Sequence, residues 1–348
     1  MILVTGATGL LGSHLITALL LQNKKVRALY RNKSKIESTR QILSYYTNDA
    51  EKYFSQIEWY EADITDYFSL QDAFKGITDV YHCAGLVSFD ENDSKQLYAI
   101  NAEGTAHVIN TCLDKGIQKY CHVSSVATLQ VQTHKKYIDE LSVWKTASGN
   151  SSYAITKYRG EFEAWRGAAE GLNVLVVNPS VILGTGCWGQ SSTQLISRCY
   201  KGLPVYTEGI TGYVDVRDVV TCMIKLMDEN KFGQRYILNS ENCSFKEVTH
   251  HLQKNFGKPI SKIKAGKFLL NAALVGDILR RIITRKKPTI TKSMVQSAQS
   301  KSYYDNTKVC KELDFQFRSA HESLTYVANL YKKMLKSEVR IIKANTIW

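Results

Sequence analysis

The sequence "VTGATGLLGSHL", residues 4–15, places three glycines between two apolar segments close to the start of the chain. We expect a β-strand to end at Thr5 and a helix to follow. In that connection Gly6 permits a tight turn, Gly9 lets the chain approach a pyrophosphate without a Cβ in the way, and Gly12 lets the helix pack closely on the sheet. The spacing G-x-x-G-x-x-G is therefore typical of a turn that cradles phosphates.

The helix after this turn is expected to begin near Leu10 and to present unpaired backbone N–H groups and the positive end of its dipole. Both attract phosphates, so the turn predicts a dinucleotide site in which Thr8 and Leu10 are further contacts. A glycine triplet alone is a weak signal. A tight strand–helix connection without any ligand is the alternative interpretation.

Size and composition limit the class of protein. The chain has 348 residues, of which 44% are hydrophobic and 22% charged, so it can bury a core and is too long for one minimal domain. It shows no basic leader followed by a cleavable apolar segment, and no apolar run long enough to span a bilayer. We therefore expect a cytoplasmic protein that is not inserted in a membrane.

The eight cysteines are scattered along the chain, without a C-x-x-C pair and without a histidine at a spacing that resembles a zinc site. This spacing does not match a zinc site. We expect reduced, mostly buried thiols, and we predict no metal site.

Basic residues outnumber acidic ones by 45 to 32, which gives a net charge of +13. This balance suits nucleic acids, anionic membranes or phosphorylated ligands, and it does not choose among them. Much of the excess lies in residues 27–35 and 254–292. Because no helix-turn-helix or aromatic–basic motif accompanies the lysines, nucleic acid is the least favoured partner.

Short apolar runs alternate with longer mixed segments through the first 180 residues, as in βαβ units. Parallel strands joined by helices on both faces predict an α/β fold with a doubly wound parallel sheet, that is, a Rossmann fold. The predicted helices cover residues 11–22, 72–75, 101–115 and 152–170, with a helix and a loop within 36–54. The predicted strands are Ile2–Thr5, Lys25–Tyr30, Ile57–Glu61, Asp79–Cys83, Lys119–Ser124 and Asn173–Asn178.

The pattern becomes irregular after Pro179. We expect residues 1–180, with a contribution from 211–240, to form the dinucleotide-binding Rossmann domain. Residues 181–348 are expected to form mainly a smaller C-terminal substrate-binding or lid region.

Three features of the second half predict local structure. Asp215 is expected to cap a helix, with Asp218 as the acid of a short capping box. Residues 235–239 read as a strand. Residues 267–287 are apolar and basic, so they could lie on a membrane surface, but a core-facing helix of a substrate lid is the favoured interpretation.

The end of the second strand, "VRALYRNKSK" at residues 26–35, carries basic residues and no acid. Sites that select NAD usually place an acid there to bind the ribose hydroxyls. A carboxylate would repel a 2′-phosphate, whereas a guanidinium can bind it through two hydrogen bonds. The sequence therefore favours NADP(H) over NAD, with Arg31 as the expected contact; a solvated basic turn is the alternative.

The sequence "SSYAITKYRGE", residues 151–161, separates Tyr153 from Lys157 by one helical turn, so the two side chains can share a site. A nearby cation favours the phenolate and is expected to lower the pKa of Tyr153. Tyr153 can then exchange a proton with a substrate oxygen. The pattern Y-x-x-x-K alone is common by chance.

Position supports this hypothesis. The predicted strand in "KYCHVSSVAT", residues 119–128, ends in Ser124 and Ser125, and ligands of doubly wound sheets bind at the carboxyl ends of the strands. We expect Ser125 to hold the substrate oxygen beside Tyr153, with Ser124 as the second candidate. Ordinary loop or helix-capping chemistry is the alternative for both serines.

These motifs together resemble an extended short-chain dehydrogenase/reductase, in the group of NAD-dependent epimerase/dehydratase proteins and dihydroflavonol-4-reductase-like enzymes. The resemblance covers most of the chain and implies a Rossmann fold and a nicotinamide cofactor. The motifs that carry it are "TGATGLLGSHL", "EADITD", "VYHCAG", "NAEGT", "VSSVA", "YAITK", "NPSVILGTG" and "YVDVRDVV".

The resemblance also implies roles for single residues. Tyr153 and Lys157 belong to both the catalytic and the cofactor-binding set, since Lys157 would also hold the nicotinamide ribose. Asn101 would be structural or part of a proton relay. The further cofactor contacts that it implies are Asp63 and Ile64 at the adenine, Ala84 and Gly85 at the adenosine ribose, and Pro179 near the nicotinamide.

The favoured function is an NADP(H)-dependent oxidoreductase that reduces a ketone or aldehyde, or oxidises a secondary alcohol, with Ser125, Tyr153 and Lys157 as catalytic residues. A nucleotide-sugar epimerase or dehydratase with tightly bound NAD is the first alternative, and a catalytically silent dinucleotide sensor is the second. Homodimerisation through two helices is common among similar proteins, and a homodimer stays open here.

The substrate itself is not identified by the sequence. We expect it to lie among residues 128–152 and several aromatic side chains, with residues 268–283 as a lid. The side chains expected around it are Tyr137, Trp144, Lys145, Trp188, Tyr206 and Tyr213.

Overall fold

The computed structural model describes residues 1–130, 135–147, 149–189, 192–284 and 288–336. Strands and helices alternate through its first half. The strands are β1 Ile2–Thr5, β2 Val26–Tyr30, β3 Glu58–Glu61, β4 Asp79–His82, β5 Lys119–Val123, β6 Tyr137–Ile138, β7 Val174–Pro179, β8 Val181–Leu183, β9 Val205–Tyr206, β10 Ile210–Asp215, β11 Gln234–Leu238, β12 Glu241–Ser244, β13 Ile263–Lys264 and β14 Tyr303–Tyr304.

The helices connect these strands and cover the sheets. They are α1 Leu10–Leu21, α2 Ile36–Tyr46, α3 Ala50–Phe54, α4 Tyr67–Ala73, α5 Ser94–Tyr98, α6 Gly104–Asp114, α7 Ser152–Ala169, α8 Thr193–Lys201, α9 Val216–Asp228, α10 Phe245–Asn255, α11 Lys267–Thr284, α12 Lys292–Ser297, α13 Thr307–Leu313 and α14 Ala320–Leu335.

Seven parallel strands form the central sheet in the order β11-β7-β5-β4-β1-β2-β3. The strand order reverses next to β1, as in doubly wound sheets, which bind ligands at that point. The predicted doubly wound α/β fold is therefore confirmed. All six strands predicted for the first half belong to this sheet, and the strand predicted at 235–239 is its edge strand β11.

Apolar side chains of the sheet pack on both faces, because successive residues of a strand point to opposite sides. In β1, Leu3 belongs to one hydrophobic cluster and Val4 to the other. The cluster around Val4 includes residues of α1 and α9, and the cluster around Leu3 includes residues of α6 and α7. Helices therefore cover both faces of the sheet and fix the carboxyl ends of its strands.

A third hydrophobic cluster forms the core of the C-terminal region. It joins a three-stranded sheet, in the order β12-β10-β8, to helices α8, α10 and α14. Strand β10 pairs antiparallel with β12 and parallel with β8. The division of the chain near residue 180 stays a prediction.

Three local predictions differ from the structure. The segment 36–54 holds two helices, α2 and α3, rather than one. Helix α4 begins at Tyr67, five residues before the predicted start, because Asp66 caps it by accepting a hydrogen bond from Phe68 N. Asp215 does cap α9, but Asp218 does not complete a capping box; its carboxylate is bonded to Arg318 instead.

The segment predicted as a core-facing lid helix forms α11, with its apolar side turned outward. Phe268 and Ile283 are 88% and 81% exposed, whereas Asp277 is buried. The carboxylate of Asp277 accepts hydrogen bonds from Arg280 Nε at 3.0 Å and from Thr289 N at 3.1 Å. These bonds hold the side of the helix that carries Asp277 against the protein, and residues 285–287 of the predicted segment lie outside the described part of the chain.

None of the helices in the described ranges is long and apolar enough to cross a membrane.

Candidate active site

The carboxyl ends of the parallel strands bring the predicted residues to one edge of the sheet. Gly6, directly after β1, has a positive φ of 64°, and a Cβ on it would lie 2.6 Å from Ala84 N, after β4. A Cβ on Gly12 would lie 2.2 Å from the Gly6 carbonyl oxygen. Both contacts involve backbone atoms, so only glycine fits at these two positions.

Helix α1 begins at Leu10, and its N-cap residue Gly9 provides no side-chain hydrogen bond. Its first turn contains no acidic residue. The N–H groups at this end are therefore available to a phosphate, and no carboxylate on the first turn would repel it. The close backbone packing of Gly6 and Gly12 leaves the cradle that a pyrophosphate needs, so the residues fit a dinucleotide.

Contacts from distant parts of the chain hold the glycine turn in place. The carbonyl oxygen of Thr8 accepts hydrogen bonds from Ser38 Oγ at 3.1 Å and from Cys187 Sγ at 3.7 Å. His14, on α1, contacts Thr185 Oγ1 through Nε2 at 3.3 Å. The turn is therefore supported from α2 and from the segment after β8.

The three predicted catalytic residues lie together at the ends of β5 and α7. Ser125 lies beside Tyr153, close enough for its side chain to lower the pKa of the phenol against the effect of burial. Lys157, one turn further along α7, donates a hydrogen bond from Nζ to the carbonyl oxygen of Val123 at 2.6 Å. Ser124, the second candidate, is committed elsewhere, because its Oγ donates to Glu161 at 2.5 Å.

The expected lowering of the Tyr153 pKa is wrong for this structure. Burial raises the pKa of Tyr153, and the side chain of Ser125 opposes that rise. Burial also lowers the pKa of Lys157 to about 8, against the attraction of Glu161. A phenol with a raised pKa is protonated at neutral pH, so Tyr153 is set up as a proton donor rather than as a base.

Asn101 has a structural part in the site. Its Oδ1 accepts a hydrogen bond from Leu86 N at 2.8 Å, and its Nδ2 donates to Leu86 O at 3.0 Å and to Thr156 Oγ1 at 3.2 Å. It lies in a π-helical turn, Ala99–Glu103, of a kind often found at functional sites. Through these hydrogen bonds, Asn101 connects the loop after β4 to α7, the helix that carries Tyr153 and Lys157.

Gly85 lies in that loop, where a Cβ would be 3.8 Å from Lys157 Nζ and 3.4 Å from Asn101 Oδ1. The predicted ribose-binding loop and the predicted catalytic lysine are therefore neighbours. This contact connects the glycine turn, through Ala84, to the catalytic residues.

Sequence reasoning missed Glu161, the buried acceptor behind the site. Its carboxylate accepts hydrogen bonds from Ser124 Oγ, from Thr128 Oγ1 at 2.8 Å, from Asn178 Nδ2 at 2.9 Å and from Arg235 Nη1 at 3.1 Å. These partners lie directly after β5, in β7, in β11 and in the turn after Ser125. The available signal was its place one helical turn after Lys157, on the same face of α7.

Two buried histidines support the same strand ends. His82, at the end of β4, contacts Thr5 Oγ1 at 2.8 Å and Thr105 Oγ1 at 3.1 Å. It stacks on His122 with ring centroids 5.6 Å apart. Burial lowers the pKa of His82 to about 3, so it stays neutral and joins β1 to α6 through hydrogen bonds.

The remaining predicted cofactor contacts lie along the same edge. Arg31, after β2, is half-exposed and 3.6 Å from the carboxylate of Asp63, after β3. Ile64 is buried in the hydrophobic cluster below, and Pro179 ends β7. The carboxylate of Asp63 faces Arg31 and also accepts hydrogen bonds from Thr65 N and Thr65 Oγ1. The contacts of Arg31, Asp63, Ile64 and Pro179 with a cofactor stay predictions.

Several aromatic residues expected around the substrate have other contacts. Tyr213 is fully buried in the C-terminal core, and Trp188 packs edge-to-face on Tyr331 with ring centroids 4.9 Å apart. These two fill a core, as aromatic side chains often do. Trp144 stacks on Tyr158 at 4.7 Å, on α7 next to Lys157.

The other expected substrate contacts also pair within the protein. Tyr137 meets Tyr303 with ring centroids 6.0 Å apart, and Tyr206 meets His250 at 5.4 Å. The backbone carbonyl of Lys145 accepts a hydrogen bond from Gln130 Nε2 at 2.9 Å. Residues 131–134 and 148 of the expected substrate segment lie outside the described part of the chain.

The buried lysine predicts a pH dependence of stability. Because the folded pKa of Lys157, about 8, lies below its ordinary value of 10.5, the penalty of burying its charge is complete below pH 8 and fades towards pH 10.5. The free energy of unfolding of the wild type, relative to Lys157→Met, should therefore rise by about 2–3 kcal/mol across that window. Urea unfolding at both ends of the window measures it.

The exposed Lys95 serves as the control, since Lys95→Met should show no such pH-dependent difference from the wild type. If the free energies of unfolding of the wild type and Lys157→Met differ by the same amount from pH 8 to 10.5, Lys157 is charged in the folded protein throughout that range.

Comparisons with known proteins agree with the fold. A family model described as the NAD dependent epimerase/dehydratase family matches residues 2–239. "Sterol demethylase protein B" of Methylococcus capsulatus is 27% identical over 315 residues, which cover 89% of this chain and 92% of that protein. A "putative dihydroflavonol 4-reductase" of Synechocystis is 28% identical over 330 residues, which cover 92% and 91%.

Among solved structures, a yeast methylglyoxal/isovaleraldehyde reductase in complex with NADPH has a TM-score of 0.73 at 20% identity, and the match covers 97% of this chain and 99% of that one. Its likeness concerns the fold. Since the family model spans the whole sheet from β1 to β11, the chain belongs to the NAD-dependent epimerase/dehydratase family and is an NAD(P)-dependent enzyme of the short-chain dehydrogenase/reductase type.

Proposed function

We propose that this enzyme is an NADP(H)-dependent oxidoreductase that reduces a ketone or aldehyde to an alcohol, and oxidises the alcohol in reverse. The placement of Ser125 beside Tyr153, with buried Lys157 one helical turn further along α7, carries this proposal. An acid–base pair at the carboxyl edge of a doubly wound sheet is placed where ligands of such sheets bind.

Each side chain has a distinct part in the proposed reaction. The nicotinamide, when bound, supplies the hydride for the carbonyl carbon. Ser125 orients the carbonyl oxygen by a hydrogen bond, and the Tyr153 hydroxyl gives its proton to that oxygen, which leaves an alcohol. Lys157 stabilises the phenolate that remains on Tyr153, and it would also hold the nicotinamide ribose.

The cofactor cradle would be formed by Gly6, Thr8, Gly9, Leu10 and Gly12 at the pyrophosphate. These residues present backbone groups rather than side chains, which suits a ligand with two phosphates. In the same proposal Asp63 and Ile64 lie beside the adenine, Ala84 and Gly85 beside the ribose, and Pro179 beside the nicotinamide.

The preference for NADP(H) rests on Arg31. Its ion pair with Asp63 is long, at 3.6 Å, and half-exposed, so the guanidinium can turn to a 2′-phosphate at little cost. We expect Arg31→Ala to weaken NADPH binding about tenfold and to leave NADH binding unchanged. Calorimetric titration of both dinucleotides measures the two affinities.

Arg27 provides the matched control for this prediction. Its guanidinium is already bonded to Glu58 and to the carbonyl oxygens of Ala73 and Lys75, so it should not select the dinucleotide. Equal losses for NADPH and NADH in Arg31→Ala would mean that Arg31 does not read the 2′-position.

The reductase activity is tested with a panel of ketones and aldehydes, monitored by loss of reduced-cofactor absorbance. Curated relatives named as reductases, such as the dihydroflavonol 4-reductase homologue, make flat aromatic carbonyl compounds suitable members of the panel. Relatives named for sterol demethylation suggest that sterol ketones belong in it as well.

A nucleotide-sugar epimerase or dehydratase is the second candidate, favoured by the description of the family model. Such an enzyme would purify with NAD attached and would need no added reductant. Mass spectrometry of any dinucleotide that co-purifies with the protein therefore distinguishes the two candidate functions. We place either enzyme in the cytoplasm, in keeping with its eight free cysteines.

A further inference from the structure

Helix α11 exposes a continuous apolar stripe. Phe268, Ala272, Val275, Leu279 and Ile283 follow one another at intervals of four, three, four and four residues, which places them on one face of the helix. All five are exposed. A surface helix of a globular protein normally turns such a stripe inward, so this orientation calls for an external partner.

The opposite side of α11 faces the protein. Asp277 is buried there, and Thr289 N and Arg280 bind its carboxylate. Burying an acid and exposing large apolar side chains costs free energy in water, and the bonds of Asp277 to Arg280 and Thr289 N fix this orientation rather than its reverse. The exposed stripe is therefore built into the fold.

The charge around the stripe is one-sided. Between residues 254 and 292 the sequence contains eleven lysines or arginines and one acid, the buried Asp277. Lys262 and Lys267 are exposed before or at the start of α11, and Arg281 lies near its end. Lys264 forms an ion pair with Glu208, which offsets its charge.

This charge decides between the occupants that an apolar stripe can have. Two copies of α11, paired in either direction, would bring basic ends against basic ends. An anionic lipid surface meets the same cations with opposite charge and accepts the apolar side chains below its headgroups. The complementarity therefore favours a membrane surface over a second copy of the chain.

Helix α11 is also connected to the rim of the candidate active site. Asp277 holds the segment before α12, and Ser293 of α12 donates a hydrogen bond to Glu91 Oε1 at 3.4 Å. Ser152, the residue before Tyr153, donates to the other oxygen of Glu91. The side of α11 opposite the exposed stripe is thus connected, through α12 and Glu91, to the residue before Tyr153.

We propose that α11 binds the protein reversibly to anionic lipid bilayers, with its apolar stripe in the headgroup region and its flanking cations on the lipid phosphates. The helix lies on the bilayer and does not cross it. This proposal is independent of the proposed reductase activity, since binding can be measured without any turnover.

Flotation of the full chain with vesicles tests the proposal. We use equimolar phosphatidylcholine and phosphatidylglycerol, and phosphatidylcholine alone. The wild type is expected to float with the anionic vesicles and to be released by high salt. The variant Phe268→Ser/Leu279→Ser/Ile283→Ser should bind the anionic vesicles at least about tenfold more weakly, because three apolar side chains no longer enter the bilayer.

Phe68→Ser is the matched apolar control, since Phe68 is 82% exposed on α4 and should not contribute to binding. The variant Lys262→Gln/Lys267→Gln/Arg281→Gln should lose binding to anionic vesicles, whereas Lys24→Gln/Lys25→Gln/Lys115→Gln removes the same charge elsewhere and should retain most of it. If the triple apolar variant does not fold, the comparison of Phe268→Ser with Phe68→Ser carries the test.

Three results would overturn the proposal. One is a wild type that does not float with either vesicle, and another is equal binding to neutral and anionic vesicles. The third is a stable dimer in solution that the triple apolar variant dissociates, because the stripe would then be an interface between two copies.

Discussion

Replacing Tyr153 with phenylalanine is expected to lower kcat for carbonyl reduction by about 10²–10⁴-fold, the range typical of a lost general acid. The change removes the hydroxyl beside Ser125 and keeps the ring, whose centroid lies 6.0 Å from that of Phe89. The protein should therefore stay folded. Turnover of the best substrate in the carbonyl panel, measured by cofactor absorbance, checks this expectation.

Tyr158→Phe is the matched control for that experiment. Tyr158 lies on the same helix and stacks on Trp144, so loss of its hydroxyl should leave kcat within about twofold of the wild type. Turnover of Tyr153→Phe equal to that of the wild type would remove Tyr153 from the chemistry. It would also restore the alternative of a catalytically silent dinucleotide sensor.

Replacing Glu161 with alanine is expected to lower the free energy of unfolding by about 3–5 kcal/mol, the cost of removing one partner of a buried ion pair. The variant leaves Arg235 without its carboxylate and removes the acceptor shared by Ser124, Thr128 and Asn178. Urea unfolding at neutral pH, followed by tryptophan fluorescence, measures the loss.

Glu163→Ala is the control on the same helix. Glu163 pairs with Arg166 in a partly exposed ion pair, so its removal should cost less than about 1 kcal/mol. Equal losses of unfolding free energy in Glu161→Ala and Glu163→Ala would show that the network around Glu161 contributes no more to stability than a surface ion pair. The hydroxyl of Thr128 contacts both the Glu161 carboxylate and the carbonyl oxygen of Ser125. Because losing Glu161 should therefore disturb the position of Ser125, Glu161→Ala should also reduce kcat.

The glycine turn and the parallel sheet could be predicted because their signals are local. Gly6 adopts a positive φ, a Cβ on Gly12 would meet the Gly6 carbonyl six residues earlier, and β1 covers the first apolar run of the chain. The spacing of Tyr153 and Lys157 likewise follows from the period of one helix. Such features depend on short-range geometry, which the sequence contains directly.

Predictions failed where a residue's partners come from distant parts of the chain. The pKa of Tyr153 was expected to fall because Lys157 is near in sequence, but Lys157 Nζ is bonded to Val123 O and burial raises the pKa of Tyr153. Asp218 left its expected capping role because Arg318, a hundred residues away, lies within reach of its carboxylate. Neither outcome has a local signal.

The sequence by itself determined the alternation of strands and helices in the first half of the chain, the glycine turn after β1 and the spacing of Tyr153 and Lys157, since each follows from a local period or from a backbone that only glycine can adopt. Only the tertiary structure decided that Glu161 is the buried acceptor of the site and that α11 turns its apolar stripe outward. Burial and orientation depend on what packs against a side chain, and those partners are brought together only when the whole chain has folded.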